Sequence, residues 1–382
     1  MKLIFTHLKP DIWQYKVAKT LRKQKIETVS VSLLECNRKM FDKAFNKIIS
    51  LNLPNLKPKT ILRKALTSPS GFIRFFYYLL TIKADAAICQ GAPHYLTALF
   101  IRLFKGKFPR IYFPYDMNFS RYKNPEKFFP KREIWGERYS FRNCDGIITK
   151  SLKEEISSLP ENFKAKSKPV LAFHCYALDE WNQKFSRQVK LSSKDKEIHI
   201  VYCGSYNQPE DVLATPTKEV AKKIISQMIH FHIYPTSQNI DKKDFDYMDP
   251  EKKFRKYIHV QDYVHPEKLS EELSRYDFGL HYAMGDSNIK PQAWNYAAAN
   301  KFASYLEAGI PPIVNREATI YTKPMTEQRF GIVIDNLLEI KKRTANKGYK
   351  KMIKNLCDYR KKYSVEKHID EIIGFIGLLK KQ

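Results

Sequence analysis

The stretch Asn300-Lys-Phe-Ala-Ser-Tyr-Leu-Glu-Ala-Gly-Ile-Pro-Pro-Ile-Val-Asn315 decides how this chain is read. Phe302, Tyr305 and Leu306 recur at three and four residues and give a short helix one apolar face, with Asn300 and Lys301 in its first turn. Gly309 supplies a left-handed cap, Pro311 and Pro312 forbid continuation, and Ile313-Val314 begin a buried strand. Such a helix points free amides at whatever lies over its N-terminus, and those amides and the helix dipole favour an anion there. Lys301 adds a full positive charge at the same end. The plain alternative is a packing helix with a surface lysine, and the surrounding α/β pattern weighs against it.

At 382 residues the chain exceeds one ordinary core and fits two domains. A content of 43% hydrophobic and 13% aromatic residues is that of a globular protein. Lys and Arg number 67 against 40 Asp and Glu, a formal net charge of +27. That excess implies an anionic partner: nucleic acid, a membrane surface or a phosphorylated small molecule. The six cysteines are scattered without a Cys-x-x-Cys pair, as expected of reduced thiols in a cytoplasmic protein. Met1 to Phe5 runs directly into a strand, and no apolar run approaches the ~20 residues that span a bilayer. The expectation is a cytoplasmic protein that does not cross a membrane but can lie at its inner face.

The chain opens β-α-β, with strands at Leu3 to Thr6 and Thr28 to Leu33 around a helix from Asp11 to Gln24. The first turn, His7-Leu8-Lys9-Pro10, lacks Gly-x-Gly-x-x-Gly, so no dinucleotide is expected in this half. Asn37 to Lys83 is basic and aromatic, culminating in Phe72 to Leu80, and Leu99 to Lys107 is a second such piece. Basic helices carrying Phe and Leu suit a lipid interface, or equally pack on a sheet with a lysine rim. Further strands at Ala84 to Cys89 and Arg110 to Phe113 end beside His94 and Asp116, where a doubly wound sheet has its crevice. After a strand at Pro169 to Phe173, the polar connector Ser186 to Glu197 separates a second α/β series. That series opens with Ile198 to Cys203 and Gly204-Ser205-Tyr206, where glycine lets a ligand approach the backbone. The expected division is an N-terminal domain 1–175, a linker 176–197, a second domain 198–355 and C-terminal helices 356–382 packing back on the first. Two such domains imply a site in the cleft between them.

This arrangement resembles the GT-B fold glycosyltransferases, and in detail the large family 4 of retaining, nucleotide-sugar-dependent enzymes. Lys301-Phe302 with Tyr305-Leu306-x-Ala308-Gly309-Ile310-Pro311 is similar to that family's Lys-Leu-x-Glu-Tyr-Leu-x-x-Gly-x-Pro signature, in which the lysine and helix N-terminus face the donor's phosphates. Tyr276 to Leu280 and Asn143 to Ile148 with Ser151 look like the family's aspartate-then-strand steps. The resemblance implies two Rossmann-like doubly wound domains facing a central cleft, the second binding the donor. The departures are Ser304 at the signature's glutamate, with Glu307 one turn on, and Tyr115 where many relatives have the histidine of a His-Asp pair. The usual basic pair after Gly204 is not evident; Lys218 and Lys290 are the nearest substitutes.

The expected catalytic residues are therefore Asp116, His94 and Lys301. The expected donor contacts are Gly204, Ser205, Tyr206, Asp262, Tyr263, Tyr282, Lys290, Asn300, Phe302, Ser304 and Glu307. Departure of a nucleoside diphosphate develops negative charge on phosphate, which Lys301, Asn300 and the helix amides are suited to stabilise. Asp116 or His94 is the base if the reaction inverts the anomeric carbon. Asp244-Phe245-Asp246 matches the Asp-x-Asp of metal-dependent transferases but sits in a charged loop, so no metal and no cofactor are expected. His230-Phe231-His232 puts two imidazoles on one face with no third ligand suggested nearby, a structural reading. The function these residues imply is a metal-independent, hexosyltransferase-like glycosyltransferase passing sugar from a nucleotide donor to a glycan or lipid-linked acceptor in cell-surface polysaccharide synthesis. The rivals are a sugar-nucleotide 2-epimerase of the same fold, a nucleic-acid-binding protein and a degenerate partner protein; no nucleic-acid motif is present.

Overall fold

The computed structural model describes residues 1–57, 60, 67–91, 93–183, 189–204, 217–235, 254–282, 288–290, 292–345 and 348–381, with the side chains of 217 and 218 excepted. The chain forms two compact units: Met1–His174 with Val365–Gln382, and Cys175–Ser364.

In the first unit the described strands are β1 (Lys2–His7), β2 (Glu27–Leu34), β3 (Lys47–Leu53), β4 (Ala86–Gly91), β5 (Arg110–Pro114), β6 (Gly146–Thr149) and β7 (Val170–Ala172). They pair in parallel in the order β3-β2-β1-β4-β5-β6-β7. Leu3, Ile4 and Phe5 are all fully buried, because a parallel sheet is covered on both faces and its strands read as continuous apolar runs. Helix α1 (Ile12–Lys23) begins in a capping box: the Asp11 carboxylate accepts from Gln14 N at 2.8 Å, and the Gln14 amide oxygen accepts from Asp11 N at 3.2 Å.

The basic, aromatic stretch 37–83, expected to supply helices for a lipid interface or for packing on the sheet, contains β3 and then α2 (Pro69–Thr81). Lys47 to Leu53 is drawn into the sheet because Ile48, Leu51 and Leu53 are buried beside β2. The second piece expected at a lipid interface is mostly packing as well. Phe100, Ile101 and Phe104 are buried in and just after α3 (His94–Leu103), and Leu99 faces out. Helix α4 (Lys131–Asn143) crosses α3 closely at Gly136, where a Cβ would stand 2.3 Å from Tyr95 N.

The second unit carries β8 (His199–Gly204), β9 (His230–Pro235), β10 (Ile258–Val260), β11 (Phe278–His281), β12 (Pro312–Asn315) and β13 (Ile332–Ile334), parallel in the order β10-β9-β8-β11-β12-β13. Alternation along β8 sends Ile200 and Tyr202 into one core and Val201 and Cys203 into the other. Helix α5 (Asn300–Ala308) packs on the Val201 side through Tyr305, and α6 (Tyr349–Lys362) follows β13. The C-terminal basic region thus divides: α6 belongs to the second unit, while α7 (Val365–Leu379) packs against α1 and β7 of the first. No described helix is long and apolar enough to cross a membrane.

Candidate functional site

In each sheet, strand order reverses at one place: between β1 and β4 in the first unit, and between β8 and β11 in the second. Crevices at the carboxyl ends of such neighbouring strands are where doubly wound folds take ligands.

At the second unit's switch point, α5 is locked to the sheet by Tyr305. Its hydroxyl donates to Leu280 O at 2.7 Å on β11 and accepts from Cys203 N at 3.3 Å on β8, spanning the divergence. The ring lies over Gly279, where a Cβ would come within 2.3 Å of it. Phe302 is fully buried and stacks on Tyr321, centroids 3.9 Å apart. Gly309 closes the helix at φ 71°, and no side chain caps the N-terminus, so the first-turn amides retain their anion preference.

Lys301 rises from that first turn and places Nζ 4.0 Å from the centre of the Tyr202 ring. A Cβ on Gly204 would stand 3.0 Å from the same Nζ and 2.9 Å from the Tyr202 hydroxyl, so this amine position requires glycine at the end of β8. His281, the last residue of β11, is buried and meets Tyr321 edge-on at 5.2 Å. Burial, and then the Lys301 charge, lower its pKa to about 3, so the imidazole is neutral at physiological pH. Its Nδ1 has no hydrogen-bond partner among the described residues. Burial pushes the Cys203 thiol up to about 11, which removes it as a nucleophile. A cation, a neutral imidazole, an aromatic face and uncapped amides meet at one strand reversal, a combination suited to an anion.

The expected catalytic residue Lys301 and the expected donor contacts Gly204 and Asn300 gather here, with half-buried Tyr282 next to His281. Phe302 serves packing from within the core. Ser304 donates to Asn300 O at 3.3 Å, back along its own helix. Glu307, the carboxylate nearest the signature's glutamate, is only 1% exposed, and its Oε1 accepts from Leu178 N at 2.7 Å. Its backbone oxygen accepts from Gln183 N at 2.7 Å, so this residue anchors the chain's own 178–183 segment and is not presented to a ligand. Asp262 and Tyr263 follow β10, two strands away from β8, and Lys290 lies in the short piece 288–290. Ser205, Tyr206, the side chain of Lys218 and the Asp244-Phe245-Asp246 motif lie outside the described residues.

The first unit's strand ends carry a different set. Asp116 follows β5 and pairs with Arg121 and, at 3.3 Å, with Lys150, which follows β6. Desolvation would raise its pKa, but Arg121 and Lys150 outweigh it and hold the carboxyl at about 2, with the side chain still 53% exposed. Lys150 also lies 3.7 Å over the Tyr115 ring. Arg121 continues to Glu155 at 3.4 Å, itself fully buried and accepting from the Ser120 hydroxyl at 2.8 Å. Asp11 is raised to about 6 by burial, against the Gln14 amide, the Lys150 charge and the Gln90 amide, which donates to it at 2.9 Å. His94, at the start of α3, is buried, with Nδ1 2.7 Å from the Tyr112 hydroxyl and Nε2 3.1 Å from Asp116 O. Because a carbonyl only accepts, Nε2 carries the proton and Tyr112 donates to Nδ1. Burial lowers this imidazole to about 4, and its two bonds tie β5 to the loop holding Asp116.

Sequence reading missed His281 and Tyr202 in the second unit and Arg121, Lys150 and Asp11 in the first. The strand-end rule that selected His94 and Asp116 also selects Lys150, directly after β6 at Thr149, and selects His281 once β11 is bounded there.

Residues 227–373 match the family described as "Glucosyltransferase 3-like, C-terminal domain". Among solved structures, sucrose-phosphate synthase from Thermosynechococcus elongatus is similar over 100% of this chain and 99% of that one, at 9% identity and TM-score 0.69. The Anabaena protein HepE, solved with UDP-glucose, is similar over 98% of this chain and 99% of its own, at 11% identity and TM-score 0.63. WaaG, a glycosyltransferase involved in lipopolysaccharide biosynthesis, is similar over 98% and 99%, at 12% identity and TM-score 0.60. No curated protein matches the chain in sequence. The chain has the GT-B fold of two Rossmann-like units found in glycosyltransferases.

Proposed function

We propose that this protein is a glycosyltransferase that takes its sugar from a nucleoside-diphosphate donor, with the diphosphate seated against Lys301 and the amides at the start of α5. One observation carries the reading: at the β8/β11 reversal Lys301 faces an aromatic ring and a neutral imidazole, and among the described residues no carboxylate pairs with it. Breaking the anomeric C–O bond moves negative charge onto the leaving diphosphate, and a fixed cation with uncapped amides stabilises that charge more than the ground state. The family match over 227–373 and the UDP-glucose complex of the HepE relative support the same donor class.

The acceptor side of the proposal is a glycan or lipid-linked substrate at a membrane surface. Helix α2 supports it: Ile73, Phe76, Tyr77 and Leu80, spaced at three and four residues, form an exposed apolar stripe at 68%, 49%, 67% and 59% exposure. Arg74, Lys83, Lys105 and Lys107 are exposed around it, and the Lys107 ammonium donates to Leu80 O at 2.8 Å at the helix end. Apolar side chains rimmed by lysine and arginine match an anionic interface.

The test is a thermal-shift screen against UDP, GDP, CMP and their sugar conjugates, repeated with Lys301→Ala. A nucleotide that binds the folded state raises Tm by mass action, so a shift with one diphosphate class that disappears in the variant supports the proposal. A folded protein that responds to no nucleotide, or whose response survives in Lys301→Ala, overturns it.

A further inference from the structure

Strands β8, β9 and β10, toward the end of the sheet opposite Lys301, hold four histidines. Parallel register sets His199 of β8 beside His230 of β9, and His232 of β9 beside His259 of β10. Alternation puts His230 and His232 on one face. The His199 and His230 rings stack at 4.4 Å and 5°, and the His232 and His259 rings at 4.2 Å and 12°. The outer pair meets two carboxylates from the turn before β8. His199 Nε2 is 2.9 Å from Asp195 Oδ2, and His230 Nε2 is 2.7 Å from Glu197 Oε2 and 3.8 Å from Asp195 Oδ2. The inner pair stands behind: His199 Nδ1 lies 2.9 Å from His232 Nε2, and His230 Nδ1 lies 2.9 Å from His259 Nε2.

We infer that Asp195, His199 and His230, with Glu197 as a fourth ligand, form a binding site for a late first-row divalent transition ion of the Zn²⁺ type. The donor atoms of Asp195, His199 and His230 lie within 4.8 Å of one another, and Glu197 Oε2 lies 2.7 Å from His230 Nε2. A tetrahedral ion bound at about 2.1 Å needs ligand atoms roughly 3.4 Å apart. The 2.9 and 3.8 Å separations from Asp195 Oδ2 to the two imidazole nitrogens bracket that value. Two imidazoles with carboxylate oxygens select such an ion over Mg²⁺ or Ca²⁺, which take oxygen sets. A ligating imidazole needs an acceptor at its other nitrogen, and Nε2 of His232 and of His259 stand in that place. For His232 to accept, its proton sits on Nδ1, and the Gln261 side-chain amide 3.2 Å away turns its oxygen toward it. In the ion-bound form each outer ring carries its proton on Nδ1 and donates it to Nε2 of the inner ring, and each inner ring carries its own proton on Nδ1; the four rings hold four protons before and after, so every imidazole stays neutral. Two carboxylates neutralise the ion's charge.

The side chains come from β8, β9 and the turn Ser192–Asp195, so the ion clamps the start of the second unit's sheet. His199 and Gly204 are the two ends of β8, about 17 Å apart along an extended strand, which separates this site from the anion site at Lys301.

The experiment uses the full chain without a histidine tag, stripped with chelator, titrated with Zn²⁺ in competition with an indicator and monitored separately with Co²⁺ by visible absorption. Expected are one Zn²⁺ per chain, no competition from Mg²⁺, a Co²⁺ spectrum of tetrahedral intensity without thiolate charge-transfer bands, and affinity on the order of 100-fold weaker in His230→Ala. His232→Gln, one step removed from the ion, is expected to weaken it about 10–100-fold. Asp195→Asn keeps the test decisive if His230→Ala does not fold, because the Asp195 side chain is 41% exposed and its loss leaves the core intact. No stoichiometric Zn²⁺, affinity unchanged in Asp195→Asn, or a thiolate spectrum pointing to a residue such as Cys357 would each overturn the assignment.

Discussion

The strand ends of the two units solve opposite electrostatic problems. In the first, Lys150 and Arg121 are matched by Asp116 and Glu155, and the histidine at that edge has both ring nitrogens engaged by Tyr112 and the Asp116 carbonyl. In the second, Lys301 rests on the Tyr202 ring beside a neutral His281 whose Nδ1 has no partner among the described residues. A charge network satisfied within the fold is a brace; a cation held against an aromatic face is available to a ligand's charge. The same architecture therefore places its internal compensation in one sheet and its anion preference in the other.

The largest expected effect falls on the second unit. Lys301→Ala is expected to lower kcat/KM for the nucleotide-sugar identified by the screen by about 10²–10³-fold, the usual loss when one donor to a developing oxyanion is removed. An effect below tenfold, measured with the folded variant, would break the contrast between the two strand ends. Gly204→Ala comes next: a Cβ 3.0 Å from Lys301 Nζ and 2.9 Å from the Tyr202 hydroxyl shifts the amine by a few tenths of an ångström, and the rate is expected to fall by up to about 10-fold, below the ~10²-fold cost of a 1 Å misplacement. Unchanged kinetics in that variant would show that the amine's observed position does not matter.

The first unit is expected to answer in stability. The folded-state pKa of Asp116, about 2, lies below the roughly 3.9 of an unfolded aspartate, so its ion pairs stabilise the fold fully above pH ~4 and are lost as pH falls toward 2. Asp116→Asn should flatten the acid limb of a urea-unfolding series across that window while costing about 1 kcal/mol near neutrality, the modest value of a half-exposed pair. Turnover abolished with the acid limb unchanged would instead make Asp116 a participant in chemistry. The smallest stability change, within about 0.5 kcal/mol, is expected for Ile73→Ser with Phe76→Ser on exposed α2. The same double variant should lose co-sedimentation with anionic vesicles, and retention of that binding would remove α2 from any membrane contact.

The helix at Asn300 was legible because its punctuation is local: an apolar stripe, Gly309 and two prolines leave little alternative. Strand β3 was not, since its seven residues sit in a lysine-rich stretch and are drawn into the sheet only by pairing with β2. Glu307 read as a ligand carboxylate because nothing local reveals that residues 178–183 return to it across more than a hundred positions. The imidazole cluster escaped for the same reason: His230-Phe231-His232 shows two of its members, whereas His199 and His259 join through inter-strand register. Periodicity and turn chemistry are encoded within a few residues; partnership across a sheet is not.

Helix α7 places a time constraint on biosynthesis. The first unit is finished only when residues 365–381 arrive to lay Phe375 and Leu379 over Gly146 and to pair Lys380 with Asp85. The roughly 190 residues from Cys175 to Ser364 that precede that helix take on the order of 10–40 s to synthesise at 5–20 residues per second. Until that helix is synthesised, the flank beside Gly146 on β6 lacks Phe375 and Leu379, so maturation of the first unit waits on translation of the whole second unit.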